Sequence, residues 1–160
     1  MSQFRGVAEF PQFSPMAQSW REIRSEFLRV ADEPRPWRQQ YLHNGLWHVM
    51  PLFRALEGRL DSGRCQRTLE AVLKLPGAEI AAFSVLKPGA QLKPHTGNSP
   101  RLLRAHLTLV EARGAYIEVQ GERRGWADGE LFVFDDNRTH HVAHRGDTDR
   151  VVLIVDFIKA

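Results

Sequence analysis

Histidines with the chemistry of metal ligands are concentrated in the second half of the chain. Five of the seven, His95, His106, His140, His141 and His144, follow position 90. Imidazole is a common neutral ligand of iron, zinc and copper, so two rings from neighbouring strands would hold one divalent ion. His95 follows one β-like run and His140 begins another, while pleating puts His140 and His144 on one side and His141 on the other. The spacing alone therefore leaves the partner of His95 open.

Two arginines lie in apolar, strand-like runs, where a charge needs a partner. In Leu102–Val110 the pleat places Arg104, His106 and Thr108 on one face and apolar side chains on the other. In a small barrel both faces of a central strand are buried, and a buried guanidinium then needs an anion. The alternative for this polar face is an outer surface in contact with water. Arg150 opens an equally apolar run, so we expect its guanidinium to lean into a pocket.

The alternation of apolar runs and turns predicts that these side chains stand on a β-rich second half. Gly, Pro, Asp and Asn clusters separate the runs. The predicted strands are Ile80–Leu86, Leu102–Val110, Ala115–Val119, Glu130–Phe134, His140–His144 and Arg150–Phe157. Because no helical pattern interrupts them, we expect a mainly β fold, an antiparallel barrel or jelly roll packed on one side by N-terminal helices.

The first half of the chain carries two helical patterns. One begins at Ser14-Pro15 and ends before Pro34, and the other runs from Gln66 to Lys74. Apolar residues at helical spacing predict their inward faces: Met16, Trp20, Ile23, Phe27 and Val30 in the first helix, and Leu69, Val72 and Leu73 in the second. Between them, residues 34–53 are rich in Pro, Trp and His and are interpreted as a long ordered loop.

Composition and charge exclude several classes of protein. The chain of 160 residues is 42% hydrophobic and 26% charged, which is typical of one soluble globular domain and not of disordered, collagen-like or coiled-coil chains. A net charge of +3 is too small and too dispersed to indicate nucleic acid. Cys65 is the only cysteine, which excludes an intrachain disulfide and fits a reducing cytoplasm. We expect a single cytoplasmic domain over residues 1–160 without a membrane span; nothing in the sequence indicates its oligomeric state.

Several motifs in order resemble the aspartyl/asparaginyl β-hydroxylase family, a branch of the iron(II)- and 2-oxoglutarate-dependent oxygenases. The resemblance extends from about Gly45 to Phe157. It rests on Phe83-Ser84-Val85-Leu86-Lys87-Pro88-Gly89, Pro94-His95-Thr96-Gly97, Arg104-Ala105-His106-Leu107, Phe134-Asp135-Asp136 with His140, and Arg150 leading to Ile154-Val155-Asp156. It implies a double-stranded β-helix, which is a cupin-like jelly roll.

The resemblance also implies the metal site. His95 and His140 match the iron ligands of the family. Many relatives in the wider superfamily place a carboxylate two residues after the first histidine. The β-hydroxylase branch lacks that carboxylate, and Gly97 stands there. Asp136 matches the second aspartate of the family's Phe-Asp-Asp motif, which implies that it anchors a metal-bound water. Without the resemblance, Asp135 and Asp136 would be interpreted as an exposed turn.

The resemblance also implies that the arginines bind the co-substrate of the family, 2-oxoglutarate. 2-Oxoglutarate is a dianion, and a planar guanidinium suits its distal carboxylate. Arg150 matches the family's arginine for that carboxylate, and Ser84 matches its hydroxyl partner. Arg104 and His106 match residues beside the metal-bound carboxylate. Trp47 resembles a tryptophan of the same pocket, although an ordinary core aromatic residue is the alternative.

The implied activity is that of a dioxygenase. With Fe(II), 2-oxoglutarate and O2, such an enzyme hydroxylates a substrate and releases succinate and CO2. We expect an aspartyl, asparaginyl or related amino-acid substrate, either free, carrier-bound or in a protein. The family's usual Arg-Leu-Arg reads Leu102-Leu103-Arg104 here, a departure that bears on specificity for aspartate. The main alternative is a non-catalytic, metal-dependent module that binds a small molecule. A zinc hydrolase lacks a convincing general base.

Overall fold

Two antiparallel β-sheets face each other in the computed structural model, which describes residues 1–159. The strands are β1 (Arg35–Pro36), β2 (Trp47–Arg54), β3 (Gly58–Arg59), β4 (Ala78–Leu86), β5 (Gln91–His95), β6 (Leu102–Val110), β7 (Ala115–Val119), β8 (Glu122–Arg124), β9 (Leu131–Phe134), β10 (His140–His144) and β11 (Arg150–Ile158). The large sheet has the order β1-β2-β4-β11-β6-β9, with β3 paired to β2. The small sheet has the order β5-β10-β7-β8. The predicted mainly β fold of jelly-roll type is confirmed.

Three α-helices cover the outer face of the large sheet: α1 (Ser14–Gln18), α2 (Trp20–Arg29) and α3 (Gln66–Leu73). Two 3₁₀ turns, Pro11–Phe13 and Gln40–Leu42, complete the helical elements described. Ile23 and Phe27 of α2 are buried against the sheet together with Leu69 and Val72 of α3. A second apolar cluster fills the space between the two sheets. The central strands therefore have apolar residues on both faces, because each face contacts a core.

The helix predictions need two corrections. The first pattern is not one helix: α1 ends at Gln18 and α2 begins at Trp20, because Ser19 leaves the α conformation at φ −92° and ψ 13°. Its apolar stripe continues across the break. In the second helix Leu73 does not face inward but is 55% exposed. The short α3 buries only the narrow face that carries Thr68, Leu69 and Val72.

The predicted loop over residues 34–53 is also wrong in its second half. Residues 47–54 form β2, which pairs with β4 in the large sheet. Pro51 argues against a strand in the sequence, because a proline cannot donate a hydrogen bond to a neighbouring strand. The structure accommodates Pro51 where the register with β4 shifts. The strand matters for function, since it carries Trp47 into the space between the sheets.

The lone thiol of the chain lies beneath the helices. Cys65 precedes α3 and is fully buried in the helix-side core. Burial raises the pKa of the Cys65 thiol to about 11, and the nearby charges of Glu26 and Asp61 act in the same direction. The thiol therefore stays protonated at neutral pH. Within residues 1–159, no helix is long and apolar enough to cross a membrane.

Candidate active site

His95 and His140 lie side by side at the same end of the small sheet. The pairing of β5 with β10 sets the two residues opposite each other, with ring centroids 4.3 Å apart. His140 is buried, whereas His95 is half-buried at the end of β5. The other two candidates point elsewhere. His141 faces Glu118 on the outer side, and His144 donates from Nε2 to the carbonyl oxygen of Thr148 at 2.5 Å.

Both rings are held so that Nε2 faces the site. The Nδ1 of His95 lies 2.5 Å from the carbonyl oxygen of Lys93, and that of His140 lies 2.8 Å from the carbonyl oxygen of Arg138. A carbonyl accepts only from a protonated nitrogen, so Nδ1 carries the proton and Nε2 presents its lone pair. Metal-bound histidines are usually oriented by a carbonyl in this manner. Burial also lowers the pKa of His140, which favours the neutral ring that a metal needs.

A carboxylate lies beside Nε2 of His140. Asp136 Oδ1 lies 3.3 Å from Nε2 of His140. Two lone pairs at this distance need a positive centre or a hydrogen-bond donor beside them, and a divalent ion with bound water satisfies that need. Among the described residues, no group of three or more His, Cys, Asp or Glu side chains is arranged to hold a metal. The donor set therefore fits a two-histidine centre whose further ligands come from water or a co-substrate.

Gly97 is explained by the same aspartate. A Cβ added at Gly97 would lie 2.9 Å from Cγ of Asp136 and still closer to its Oδ2. The backbone N–H of Gly97 also donates to the carbonyl oxygen of Asp136 at 2.7 Å. Asp136 thus occupies the space that a side chain two residues after His95 would need.

Arg104 is enclosed by two carboxylates. Its Nε and Nη2 donate to Asp156 at 2.7 and 2.9 Å, and its Nη1 lies 3.4 Å from Oδ1 of Asp136. Burial alone would lower the pKa of Arg104, but the charges of Asp156 and Asp136 outweigh it and raise the pKa above its usual range. The anionic partner expected for a buried arginine is therefore present within the chain. Asp156 was not among the residues singled out for the site; its position directly across from Arg104 on β11 depends on strand register.

Arg150 differs from Arg104 because it lies deep between the sheets without a carboxylate partner among the residues described. Its Nη2 donates to Ser84 Oγ at 3.0 Å, its guanidinium lies 4.4 Å from the ring centroid of Trp126, and its buried Nε has no partner. Burial lowers the pKa of Arg150 to about 9, so it remains charged at neutral pH. A buried cation of this kind needs an anion. A ligand carboxylate would supply it.

Ser84 connects Arg150 to Trp47. Trp47 Nε1 donates to Ser84 Oγ at 2.9 Å, in addition to the hydrogen bond from Arg150. Since Oγ already accepts two hydrogen bonds, its own proton is free to donate to a ligand. Trp47 is therefore more than a core aromatic residue, because its indole N–H fixes the serine. We call the space lined by Trp47, Ser84, His95, His106, His140 and Arg150 the inner pocket.

His106 is a neutral donor to this pocket. Trp126 Nε1 donates to Nδ1 of His106 at 3.1 Å, so the ring proton lies on Nε2. Burial lowers the pKa of His106 well below its usual value, and the charges of Arg150 and Arg104 lower it further. The polar face of β6 is thus buried, as the barrel interpretation predicted. Trp126 was not singled out from the sequence, because it lies in a Gly-rich turn. The one feature that could have indicated it is that it is an aromatic residue in a polar segment.

A wider outer cavity of about 300 Å³ opens next to the histidines. Its inner end includes Gly97 and Asp136, and four residues line both this cavity and the inner pocket: Trp47, His95, Arg104 and Ile154. Among the residues named from the sequence, Ser84, His106, His140 and Arg150 line only the inner pocket. The inner pocket has a volume of only about 30 Å³ and contains the buried cation, whereas the outer cavity has room for a larger molecule.

The sequence of the chain matches a known protein family. The sequence model described as Aspartyl/Asparaginyl beta-hydroxylase matches residues 17–160. The chain belongs to the aspartyl/asparaginyl β-hydroxylase family. The resemblance drawn from the motifs is confirmed. Members of this family are Fe(II)- and 2-oxoglutarate-dependent dioxygenases.

Two curated relatives of this member of the β-hydroxylase family have names that describe different substrates. The chain is 38% identical over 98 residues to the ornithine lipid ester-linked acyl 2-hydroxylase of Rhizobium tropici, covering 59% of this chain and 35% of the relative. It is 29% identical over 154 residues to human aspartyl/asparaginyl beta-hydroxylase, covering 88% of this chain and 20% of the relative. The chain thus spans about a third of the length of the first relative and a fifth of the second.

Solved structures agree on the fold. A 2OG-Fe(II) oxygenase family oxidoreductase from Burkholderia pseudomallei superposes with a TM-score of 0.61 at 12% identity, covering 84% of this chain and 77% of that one. At this identity the comparison supports the architecture alone.

Proposed function

We propose that this chain is an iron(II)- and 2-oxoglutarate-dependent dioxygenase that hydroxylates a carbon of its substrate, with His95 and His140 as the iron ligands. The observation that carries the proposal is the buried guanidinium of Arg150. It faces the same inner pocket as the two imidazoles and has no carboxylate partner within the described chain. A divalent ion at one end and a free cation at the other suit a keto-diacid.

The side chains have separate roles in this proposal. When bound, iron and 2-oxoglutarate supply oxidation by O2, with release of succinate and CO2. Arg150 binds the distal carboxylate of 2-oxoglutarate, and Ser84, fixed by Trp47, donates its free hydroxyl proton to the same group. His106 directs its Nε2–H into the pocket. Asp136, whose Oδ1 lies 3.3 Å from Nε2 of His140, would accept a hydrogen bond from water held beside the metal.

The names of the relatives support two substrate classes. The human relative is named for aspartyl and asparaginyl residues, and the Rhizobium relative for an acyl chain. An aspartyl or related amino-acid substrate was the expectation from the sequence. Both classes present a C–H bond beside a carbonyl group or one carbon beyond it, so the iron and co-substrate chemistry is common to both.

The proposal is tested by anaerobic addition of Fe(II) and 2-oxoglutarate. We expect a weak visible charge-transfer band, which arises only when the keto-acid chelates the metal. His140→Ala should abolish the band, whereas His141→Ala, on the same strand but facing outward, should retain it. A band of equal strength in His140→Ala would refute the metal assignment. No band in the unaltered protein would favour the non-catalytic binding module.

A further inference from the structure

Residues 2–5, which we call the N-terminal strap, join the edges of the two sheets. At one end, Arg5 and Val133 exchange two backbone hydrogen bonds, at 3.0 and 2.7 Å, on the edge strand β9 of the large sheet. At the other end, the Ser2 hydroxyl and a backbone N–H of the strap donate to the carboxylate of Glu122 at 2.6 and 2.8 Å. Glu122 lies on β8, the edge strand of the small sheet. The strap therefore connects two strands that belong to different sheets.

Phe4 is the buried residue of this strap. It is 7% exposed, and its ring centroid lies 5.2 Å from that of Phe132 and 6.2 Å from that of Phe134. The guanidinium carbon of Arg124, on β8, lies 5.6 Å from the Phe4 centroid and 4.3 Å from that of Phe132. Phe4 thus contacts side chains from both edge strands. The strap precedes residues 17–160, which the family model matches.

Phe134 connects Phe4 to the imidazoles of the site. Its ring centroid lies 5.5 Å from that of His140 and 5.2 Å from that of His106, edge to face in both cases. Phe134 also lines the inner pocket, whose volume is about 30 Å³. Since one water molecule needs about 10–15 Å³, a small displacement of this ring changes a large part of the available space. The residue behind Phe134 therefore bears on what the pocket can hold.

We propose that Phe4 is a positioning residue for the metal and co-substrate site: through Phe134 it fixes the rings of His140 and His106. The proposal rests on the dioxygenase function above, which assigns His140 to iron and the inner pocket to 2-oxoglutarate. Phe4 lines neither the inner pocket nor the outer cavity, so it acts through its neighbours and not by touching a ligand. An edge segment outside the two sheets thus sets the shape of the site between them.

Phe4→Ala tests this role in 2-oxoglutarate binding. Without the phenyl ring, Phe134 is free to tilt away from the imidazoles, so the Kd for 2-oxoglutarate should rise at least fivefold. Anaerobic titration of the charge-transfer band at saturating Fe(II) measures the Kd. Phe4→Met retains most of the apolar volume and should bind 2-oxoglutarate within twofold of the unaltered protein. An unchanged Kd in Phe4→Ala would overturn the inference.

Phe10→Ala is the matched control, because it removes the same ring from a nearby residue. Phe10 packs against the other core, with its ring centroid 5.7 Å from that of Phe157. Its loss should lower the free energy of unfolding, as the loss of Phe4 does, but leave the Kd for 2-oxoglutarate unchanged. A similar rise in Kd in both variants would assign the effect to lost stability and overturn the positioning role.

NMR spectra of the metal-free protein give a measurement that does not depend on iron. The ring current of Phe134 acts on the His106 and His140 rings at 5.2 and 5.5 Å, so their proton shifts should change in Phe4→Ala and not in Phe10→Ala. Glu122→Ala frees the start of the strap while leaving every ring in place, and should change the same shifts. Unchanged shifts in Phe4→Ala, or in Glu122→Ala if Phe4→Ala does not fold, would overturn the inference.

The two proposals fail separately. A charge-transfer band with the same Kd in Phe4→Ala and the unaltered protein would leave the dioxygenase function standing and remove the positioning role. Shifted imidazole signals in metal-free Phe4→Ala, without a charge-transfer band in the unaltered protein, would do the reverse.

Discussion

Gly97 and Asp136 act as one unit at the residue scale. The glycine leaves room for a carboxylate that comes from a different loop and lies beside His140. The carboxylate also contacts Arg104, which Asp156 holds from the opposite side. Close contacts therefore link Asp156 on β11 through Arg104 and Asp136 to the imidazole of His140.

Gly97→Ala is expected to displace Asp136 and lower the rate of 2-oxoglutarate turnover at least tenfold. The reason is steric, because the added methyl group would overlap the carboxylate. Succinate release measures the rate. Gly125→Ala is the matched control, since a Cβ there comes no closer than 3.5 Å to a backbone oxygen and should leave turnover unchanged. Equal rates in both variants would show that Asp136 needs no fixed position.

His106 predicts a pH dependence of stability. Its pKa in the folded state lies well below 6.5, whereas in the unfolded chain it returns to about 6.5. Below that pH the unfolded chain binds the additional proton, so the free energy of unfolding falls as pH decreases from 7.5 to 5. In His106→Gln the free energy of unfolding should decrease less steeply, by up to about 1.4 kcal/mol per pH unit below 6.5. Urea unfolding at several pH values measures it, and parallel curves would contradict the assignment of a neutral ring.

The N-terminus of helix α3 is capped by a side chain of helix α2. The carboxylate of Glu26, on α2, accepts hydrogen bonds from the backbone N–H groups of Arg67 and Thr68 and from the Thr68 hydroxyl, at 2.6 to 2.9 Å. No side chain at the N-cap position of α3 does this. The first turn of α3 and the packing of α2 are thus coupled through one buried carboxylate.

Glu26→Ala should lower the free energy of unfolding by about 2–3 kcal/mol, because it leaves buried N–H groups without an acceptor. Glu22→Ala is the control. Glu22 is 51% exposed and forms only a surface ion pair with Arg67 at 2.9 Å, so its loss should cost less than about 1 kcal/mol. Urea unfolding compares the two, and similar losses would show that the carboxylate of Glu26 does not cap α3.

The elements predicted best are those whose pattern reflects burial. Leu102–Val110, Ala115–Val119 and His140–His144 were predicted with the observed bounds, because apolar runs between turns are sufficient to define them. β5 was missed, since its five residues Gln91–His95 include Pro94 and largely exposed polar side chains. Its register with β10 sets His95 opposite His140, and no local pattern encodes a register between strands so far apart in sequence. The family motifs, and not periodicity, supplied that pair.

Two arginines of the site, Arg104 and Arg150, have opposite electrostatic environments. Arg104, between Asp156 and Asp136, is neutralised on the cavity side, whereas Arg150 remains an uncompensated charge between the sheets. A buried charge without a partner destabilises a fold. The protein therefore gains from a bound anion in the inner pocket, and stability and co-substrate binding are linked through this one side chain.

Arg150→Met is expected to retain or raise the stability of the ligand-free protein, because replacing an unpaired buried charge with an apolar side chain is often neutral or stabilising by about 1–4 kcal/mol. The unaltered protein should gain about 2.7 kcal/mol with Fe(II) and 2-oxoglutarate at 100 times the Kd, and the variant should gain little. Anaerobic thermal unfolding with and without ligand measures both. An equal ligand-induced gain in the variant would remove Arg150 from the binding site.

Cys65 has a practical consequence. Since the only native thiol is buried under the helices and stays protonated, alkylating reagents should not modify it in the folded state. A single cysteine introduced on the surface would then be the sole attachment point for a fluorophore or spin label. Distances from such a label to a paramagnetic centre at the two imidazoles could be measured without first removing a competing nucleophile.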